Sequence, residues 1–438
     1  MERSWWAPTV ARPVSSVQSF EDPDGNLPFF ALLGFTFILL LAPQERIPAL
    51  APLRIAMLMA VLAMAAHCWC RWRDGRPLVM FNLSLYLLAA LVGWAMVTMP
   101  FSFWPSGSLS YLLENYLKTL IVYVLLCNVL SSYEKLKTLA WSLVLMTIPL
   151  SLTTVKNFLA GDAGRVKGYS ASLTANPNDM ALMLNLLLPL AVALFLSTNK
   201  GSRRLILAGI IGLMMVAVMA TFSRAGFLAM GFIVMCYLWF LRNRKERILI
   251  PIVIIVGVLA IPLIPPEFYS RISTIVNVEE DTTNSAQERL ADMKTALGLV
   301  VTHPIVGSGI GMNVLAMNAA RGPTWTQVHN VYLQLSVELG IPGLVFFIVL
   351  YLYCLGETKW VLRYARGRPE MQGLYNIAEG LKISLWAYAL EAMFHPTAYH
   401  YYFYYIAGMA VAAGAICRRW LAGSSGSNEL VRSGVRHA

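Results

Sequence analysis

The sequence predicts an all-α polytopic membrane protein of about twelve transmembrane helices, and three observations carry that expectation. Hydrophobic residues make up 58% of the 438 positions and charged ones only 13%, whereas a soluble domain is nearer ~45–50% apolar. Apolar runs of about 20 residues, long enough to cross a ~30 Å hydrocarbon core as helices, recur along nearly the whole chain. Lys and Arg collect in alternate loops, as expected when cations resist translocation.

Apolar runs bounded by charged, Pro-rich or Gly-rich breaks predict spans near 27–43, 50–69, 78–99, 111–130, 139–159, 179–197, 203–221, 224–241, 248–265, 328–353, 375–394 and 398–417. The break Thr221-Phe222-Ser223-Arg224 predicts a tight hairpin rather than one long hydrophobic block. The spans form a single transmembrane domain over 27–421, between a tail at 1–26 and a Gly- and Ser-rich tail at 422–438 whose composition predicts disorder. A long loop, 266–327, separates the ninth and tenth spans.

One set of loops holds Arg71, Arg73 and Arg76; Lys135 and Lys137; Lys200, Arg203 and Arg204; Arg242 to Arg247; Lys359 to Arg368; and Arg418 and Arg419. That set is expected in the cytoplasm, with both termini. The net charge of +11 is then mainly a topology signal, and no basic motif interleaved with aromatics points to nucleic acid. The first span is expected to serve as its own insertion signal. Five of the six cysteines fall at or near inner ends of spans and Cys236 within one, so no outer-loop disulfide is expected. His67, Cys68 and Cys70 lack a fourth ligand nearby and are not read as a metal site.

The outer loops should be poor in cations, yet several are not. Arg165 and Lys167 lie in 160–178, Arg224 ends the hairpin, and Arg271, Arg289, Lys294 and Arg321 lie in 266–327. Cations on the disfavoured side suggest an anionic ligand held at the membrane surface; snorkelling to lipid phosphates is the alternative. Arg224 opens a span as Ser223-Arg224-Ala225-Gly226, at a helix N-terminus where free N–H groups already favour anions. Small Ala225 and Gly226 permit a close helix neighbour, and a guanidinium matches phosphate oxygens.

The long loop predicts its own helix, opened by a capping box at Ser285 and Glu288 and continued by Ala286, Leu290, Met293, Leu297 and Val301 at helical spacing. It is expected to lie on the membrane surface or over a cavity, with Arg289 bordering what is beneath. The following Gly307-Ser308-Gly309-Ile310-Gly311 reads as a plain turn in preference to a phosphate cradle.

His329 stands at the outer mouth of the tenth span, above a polar or small face of Tyr332, Ser336 and Gly340. An imidazole there, with an ordinary pKa near ~6.5, is suited to taking a proton from a hydroxyl. Glu338 falls about 13 Å deeper by helical rise and on the opposite face, so it is not expected to orient His329. Glu114 and Lys118, four apart, are expected to pair. Glu391, beside His395 and His400, is a candidate supporting carboxylate, and Tyr399 to Tyr405 reads as an aromatic interface belt.

Ser223-Arg224-Ala225-Gly226, an Arg-bearing helix in a long outer loop, and His329-Asn330-x-Tyr332-Leu333 followed by Glu338-Leu339-Gly340-Ile341-Pro342-Gly343 together resemble the O-antigen ligase and polymerase superfamily of bacterial envelope glycosyltransferases. The resemblance covers roughly 160–352. It implies a transferase at the periplasmic face of the inner membrane that takes a glycan from undecaprenyl diphosphate, with no metal or other cofactor, and joins it to an acceptor hydroxyl such as that of the lipid A core. It further implies His329, Arg224 and Arg289 as catalytic residues and Arg165 as a phosphate or sugar contact; by their positions Lys167, Tyr332 and Glu391 are further candidates for contacting or supporting substrate. Direct displacement inverts the anomeric centre; a retaining route wants paired carboxylates, and the outer loops offer no clear pair. A polymerase or a protein ligase would share this chemistry. A transporter or flippase of anionic lipids is a more distant reading, because repeated halves and midplane polar residues are missing from the sequence.

Overall fold

The computed structural model describes residues 25–53, 55–160, 174, 176–248, 250–251, 285–323 and 325–434. The chain runs through α1 (Leu27–Leu41), α2 (Ile55–Arg73), α3 (Leu83–Thr98), α4 (Pro105–Tyr111), a π-helical turn (Leu112–Tyr116) and α5 (Leu117–Val129). There follow α6 (Tyr133–Leu159), α7 (Pro177–Ser197), α8 (Gly201–Ala220) and α9 (Arg224–Leu241). After the undescribed stretch come α10 (Ser285–Thr302), α11 (Asn313–Arg321), α12 (Val331–Ala365), α13 (Gln372–Glu391) and α14 (Tyr401–Gly434).

Among the described residues, eight helical segments are long and apolar enough to cross a membrane, and Leu27–Leu41 is a shorter apolar helix. The protein is therefore a multi-pass membrane protein. Of the expected spans, 248–265 lies almost wholly outside the described residues. The span expected at 328–353 is longer, ending at Ala365. Helix α14 continues to Gly434, into the stretch whose composition suggests disorder.

The starts of the helices follow from their caps. Side chains of Asn82, Ser132, Asn176, Ser223 and Asn330 each accept an N–H of the first turn they precede, from Leu85, Lys135, Asn178, Gly226 and Leu333. Each bond satisfies an amide that the helix itself leaves unpaired. The expected hairpin between α8 and α9 is present: Phe222 takes a positive φ of 51°, and Ser223 caps α9 at once.

Helix α7 is the centre of the bundle, packed by α13 along one side and by α6, α8 and α9 on others. Gly380 of α13 allows a close approach, since a Cβ there would lie 2.8 Å from the Pro189 carbonyl oxygen. That same oxygen accepts the Tyr237 hydroxyl at 2.9 Å, and the Leu186 carbonyl accepts Ser384 Oγ at 2.7 Å. Helix α12 packs against α3, α13 and α14.

Contacts between loops sort the chain into two ends. At one, Lys135 Nζ donates to the Gly25 carbonyl at 2.7 Å, Arg419 to the Ser131 carbonyl at 2.8 Å, and the Met80 N–H to Asn128. Arg244 pairs with Glu379 at 2.6 Å and Arg418 with Glu357 at 2.9 Å. His67 at this end meets the Leu78 carbonyl at 2.8 Å. Residues 99–105, 221–224, 303–330 and 392–400 gather at the other, hereafter the His329 end.

Helix α10 begins at Ser285, where the capping pattern places it, and it turns part of its apolar stripe away from the protein. Leu290 (53%), Leu297 (52%) and Val301 (78%) stay exposed, while Asp292 and Ala296 are buried and Leu299 and Val300 pack inward against α11 and α12. An apolar stripe turned away from the protein suits a helix lying along a membrane surface.

Helix α12 is broken at Gly340, whose φ of 68° and ψ of −177° are nearly exclusive to glycine. Pro342 denies the helix one donor, and the carbonyls at the break are met from outside. Trp94 Nε1 donates to Leu339 O at 2.8 Å, Gly309 N–H to Glu338 O at 2.8 Å and Ser308 N–H to Val337 O at 2.8 Å. A Cβ on Gly340 would lie 2.1 Å from the Ile305 carbonyl oxygen. Gly340→Ala is expected to cost about 3 kcal/mol or more, measured by thermal unfolding in detergent. Gly356→Ala, on the same helix in open space, should leave the transition unchanged within a degree or two.

Candidate functional site

The site is built at the start of α12. His329 is half-buried and stands one residue before the N-cap Asn330. Three bonds clamp this start to the end of α13: the Val331 N–H donates to Ala392 O at 2.7 Å, Asn330 Nδ2 to Met393 O at 3.2 Å and the Tyr332 hydroxyl to Ala389 O at 2.9 Å. Tyr332 is thereby engaged in positioning the helix. Ser336 and Gly340 on the same face are buried.

On the opposite side the same segment is held by Asn313. Its Oδ1 accepts the Val328 N–H at 3.1 Å, while its own N–H (3.3 Å) and its Nδ2 donate to Glu338 Oε1. The Gly311 N–H donates to Glu338 Oε2 at 2.9 Å. Glu338 is thus bonded to the loop at Gly311 and Asn313, and Asn313 in turn accepts the Val328 N–H one residue before His329. The glycine run is a turn, as expected. Gly307, Gly309 and Gly311 take positive φ values of 67°, 98° and 76°, and the amides of Gly309 and Gly311 are committed to Glu338.

Glu391 is fully buried at the last position of α13. Asn185, from the middle of α7, donates one amide hydrogen to Glu391 Oε1 at 2.7 Å and the other to the Gly226 carbonyl at 2.8 Å. The first turn of α9, which carries the half-buried Arg224, is so tied to Glu391. Gly226 is required there, because a Cβ would fall 2.5 Å from that of Ala181. Asp179, in the first turn of α7, lies near enough to Glu391 for the two carboxylates to interact.

His395, four residues beyond, is buried, with Nδ1 2.9 Å from the Glu391 carbonyl. Burial pushes its imidazole down from 6.5 to about 4; the bond to Glu391 opposes this, and the nearby Arg289 guanidinium and His329 imidazole push the same way as burial. The first turn of α9, with Arg224, is thus tied to the turn 391–395 through Asn185, and Arg289 and His329 lie near enough to His395 to act on it electrostatically.

Other expected cations behave differently. Arg321 forms an ion pair with Asp292 of α10, whose carboxylate also accepts Thr326 Oγ1 at 3.4 Å, so this arginine closes the loop on itself. Lys294 is exposed. Arg165, Lys167 and Arg271 lie outside the described residues. Among described residues, Glu114 and Lys118 form no ion pair and instead line a cavity, which corrects the expected pairing. Asn185 and Asn313 were not singled out by sequence. A single carboxamide in the apolar run 180–197 was the available signal for the first.

A family model described as O-antigen ligase matches residues 209–348. The match bears out the resemblance to the O-antigen ligase and polymerase superfamily, whose members are glycosyltransferase-like enzymes of lipid-linked glycans. It spans Arg224, Arg289, His329 and Glu338, and leaves Asn185, Glu391 and His395 outside. No curated protein matches the chain.

His395 makes folding pH-dependent with a definite sign. Its folded pKa is depressed, so as pH falls through the range from about 6.5 to about 4 the unfolded chain takes up a proton that the folded one excludes. Stability from this residue is complete above that range and is lost within it, by on the order of 3 kcal/mol in all. Thermal midpoints in detergent should fall between pH 7 and 4.5 more steeply for wild type than for His395→Gln; parallel curves would mean that the imidazole is not buried neutral.

Proposed function

We propose that the protein is an O-antigen ligase, which moves a glycan from undecaprenyl diphosphate to a hydroxyl of the lipid A core at the periplasmic face of the inner membrane. The observation that supports this most is that Asn185 ties the Arg224-bearing first turn of α9 to Glu391 while Arg289 and His329 lie near enough to His395 to act on it electrostatically, with Arg224, Arg289 and His329 all inside the stretch matched by the family model.

In this reading the acceptor oxygen attacks the anomeric carbon, the bond from that carbon to the diphosphate oxygen breaks, and the acceptor proton passes to His329. Arg224 and Arg289 bind the diphosphate and stabilise the negative charge that grows on it as it leaves; Arg165 and Lys167 are further candidates for that contact. A single displacement inverts the anomeric centre. Glu391 does not touch substrate directly in this scheme: through Asn185 it fixes the helix start that carries Arg224. Tyr332 fixes α12 against α13 in the same way. The cations of the other end of the bundle face the cytoplasm.

Purified protein, with chelator present, is expected to transfer glycan from an undecaprenyl-diphosphate donor to rough lipopolysaccharide. His329→Ala should reduce the rate by about 10²–10⁴-fold, and Arg224→Ala or Arg289→Ala by about 10²–10³-fold. Loss of transfer with chelator alone would overturn metal independence. Longer glycans left on undecaprenyl would make the protein a polymerase, glycan on a polypeptide would make it a protein ligase, and no transfer at all would favour lipid transport.

A further inference from the structure

A cavity of about 380 Å³ opens at the His329 end, between the π-helical turn Leu112–Tyr116, the loop before α12, and the turn before α14. Its lining is mixed. Glu114, Asn115 and Lys118 come from the π-turn and the start of α5, Gln327 and Gln334 flank the start of α12, and His400 lies opposite. Tyr111, Tyr399 and Tyr401 supply aromatic walls. A π-turn inserts one residue into a helix and often marks a functional position; here it brings Glu114 and Asn115 to the cavity, and Glu114 and Lys118 remain unpaired with one another.

The chemistry selects a ligand class. One ammonium is balanced by one carboxylate, so the cavity is no anion trap and does not duplicate the arginine-lined side. Carboxamides, phenols and an imidazole offer donors and acceptors together, and rings can lie on the tyrosine faces. A hydroxyl-rich saccharide fits these groups, and the volume falls in the range of small-ligand sites.

The location selects the substrate. Gln334 is two residues beyond Tyr332, roughly 200° around an α-helix of 3.6 residues per turn. Tyr332 faces α13, which leads to Asn185, Glu391 and Arg224, while Gln334 faces the cavity. The segment 327–334 therefore has α13 and, through Asn185, the Arg224-bearing start of α9 on one side and the saccharide-type cavity on the other, and His329 stands in that segment two residues from Gln327. Resting on the reading of the protein as a glycan transferase, we propose that this cavity binds the terminal sugar of the acceptor saccharide and presents its hydroxyl to His329 from the side opposite the diphosphate.

The test uses full-length protein in nanodiscs and two variants, Asn115→Ala and Gln327→Ala, each checked for an unchanged thermal midpoint. With rough lipopolysaccharide as acceptor, KM for the acceptor is expected to rise about tenfold, as for loss of a hydrogen bond worth about 1.4 kcal/mol. The turnover number should stay within about threefold, and KM for the donor should not move. Saturation-transfer NMR with the delipidated core oligosaccharide of the same lipopolysaccharide should show binding to wild type and weaker binding to both variants. The oligosaccharide measurement is independent of turnover: binding without any transfer would retain the acceptor cavity and overturn the ligase reading. Transfer with a raised donor KM would assign the cavity to the donor glycan instead, and transfer with both KM values unchanged, or to a peptide acceptor only, would overturn the inference.

Discussion

Glu338 is fully buried in α12, and a carboxylate in that position is tolerable only when donors surround it. The donors come from a loop: Gly311 and Asn313 amides and the Asn313 side chain. Because the helix breaks two residues later at Gly340, its freed carbonyls draw in Gly309, Ser308 and Trp94 as well. One buried carboxyl group and one broken helix thus fold residues 303–313 onto α12. Everything at the His329 end is referenced to that loop, since Asn313 passes the constraint to Val328 and the imidazole beside it.

A second carboxamide performs the equivalent function on the other flank. Asn185 has two amide hydrogens and gives one to Glu391 and one to Gly226, so α7, α9 and α13 meet at a single side chain. Carboxamides suit these junctions because each offers donors and an acceptor in one plane without carrying a charge into the bundle. Removing either would leave a buried carboxylate short of a partner, at a cost of about 1–3 kcal/mol or more. The two asparagines hold the start of α12, next to His329, and the start of α9, which carries Arg224, in fixed relation.

Much of this architecture was legible because membrane helices announce themselves by apolar runs and their starts by capping residues. The hairpin at Thr221–Arg224 and the loop helix at Ser285 are examples. What periodicity does not encode is which way an apolar stripe faces when lipid and protein interior are equally apolar; Leu290, Leu297 and Val301 belong to one stripe and turn outward. Spacing arguments also assume α-geometry. Glu114 and Lys118 are an i,i+4 pair in an α-helix, but the π-turn Leu112–Tyr116 shifts the register between them. Glu338 was placed correctly on the face opposite His329, yet its influence runs through Asn313, 25 residues earlier in the chain, and no helical wheel contains that path. The pairing of Arg321 with Asp292 was hidden for the same reason: its two residues sit on different helices.

The buried imidazole of His395 adds an electrostatic argument about the cations. Were Arg289 simply reaching toward lipid phosphates, it would stand apart from the bundle interior. Instead it lies near enough to disfavour protonation of His395, and His329 does the same from the neighbouring helix start. An arginine is thereby brought beside the turn 391–395, which is clamped to the start of α12 by the Val331 N–H and Asn330. The opposite side of the segment 327–334 carries one carboxylate and one ammonium, at Glu114 and Lys118. A substrate with an anionic end and a neutral, hydroxyl-rich partner would meet a matching surface on each side, with His329 in the segment between them.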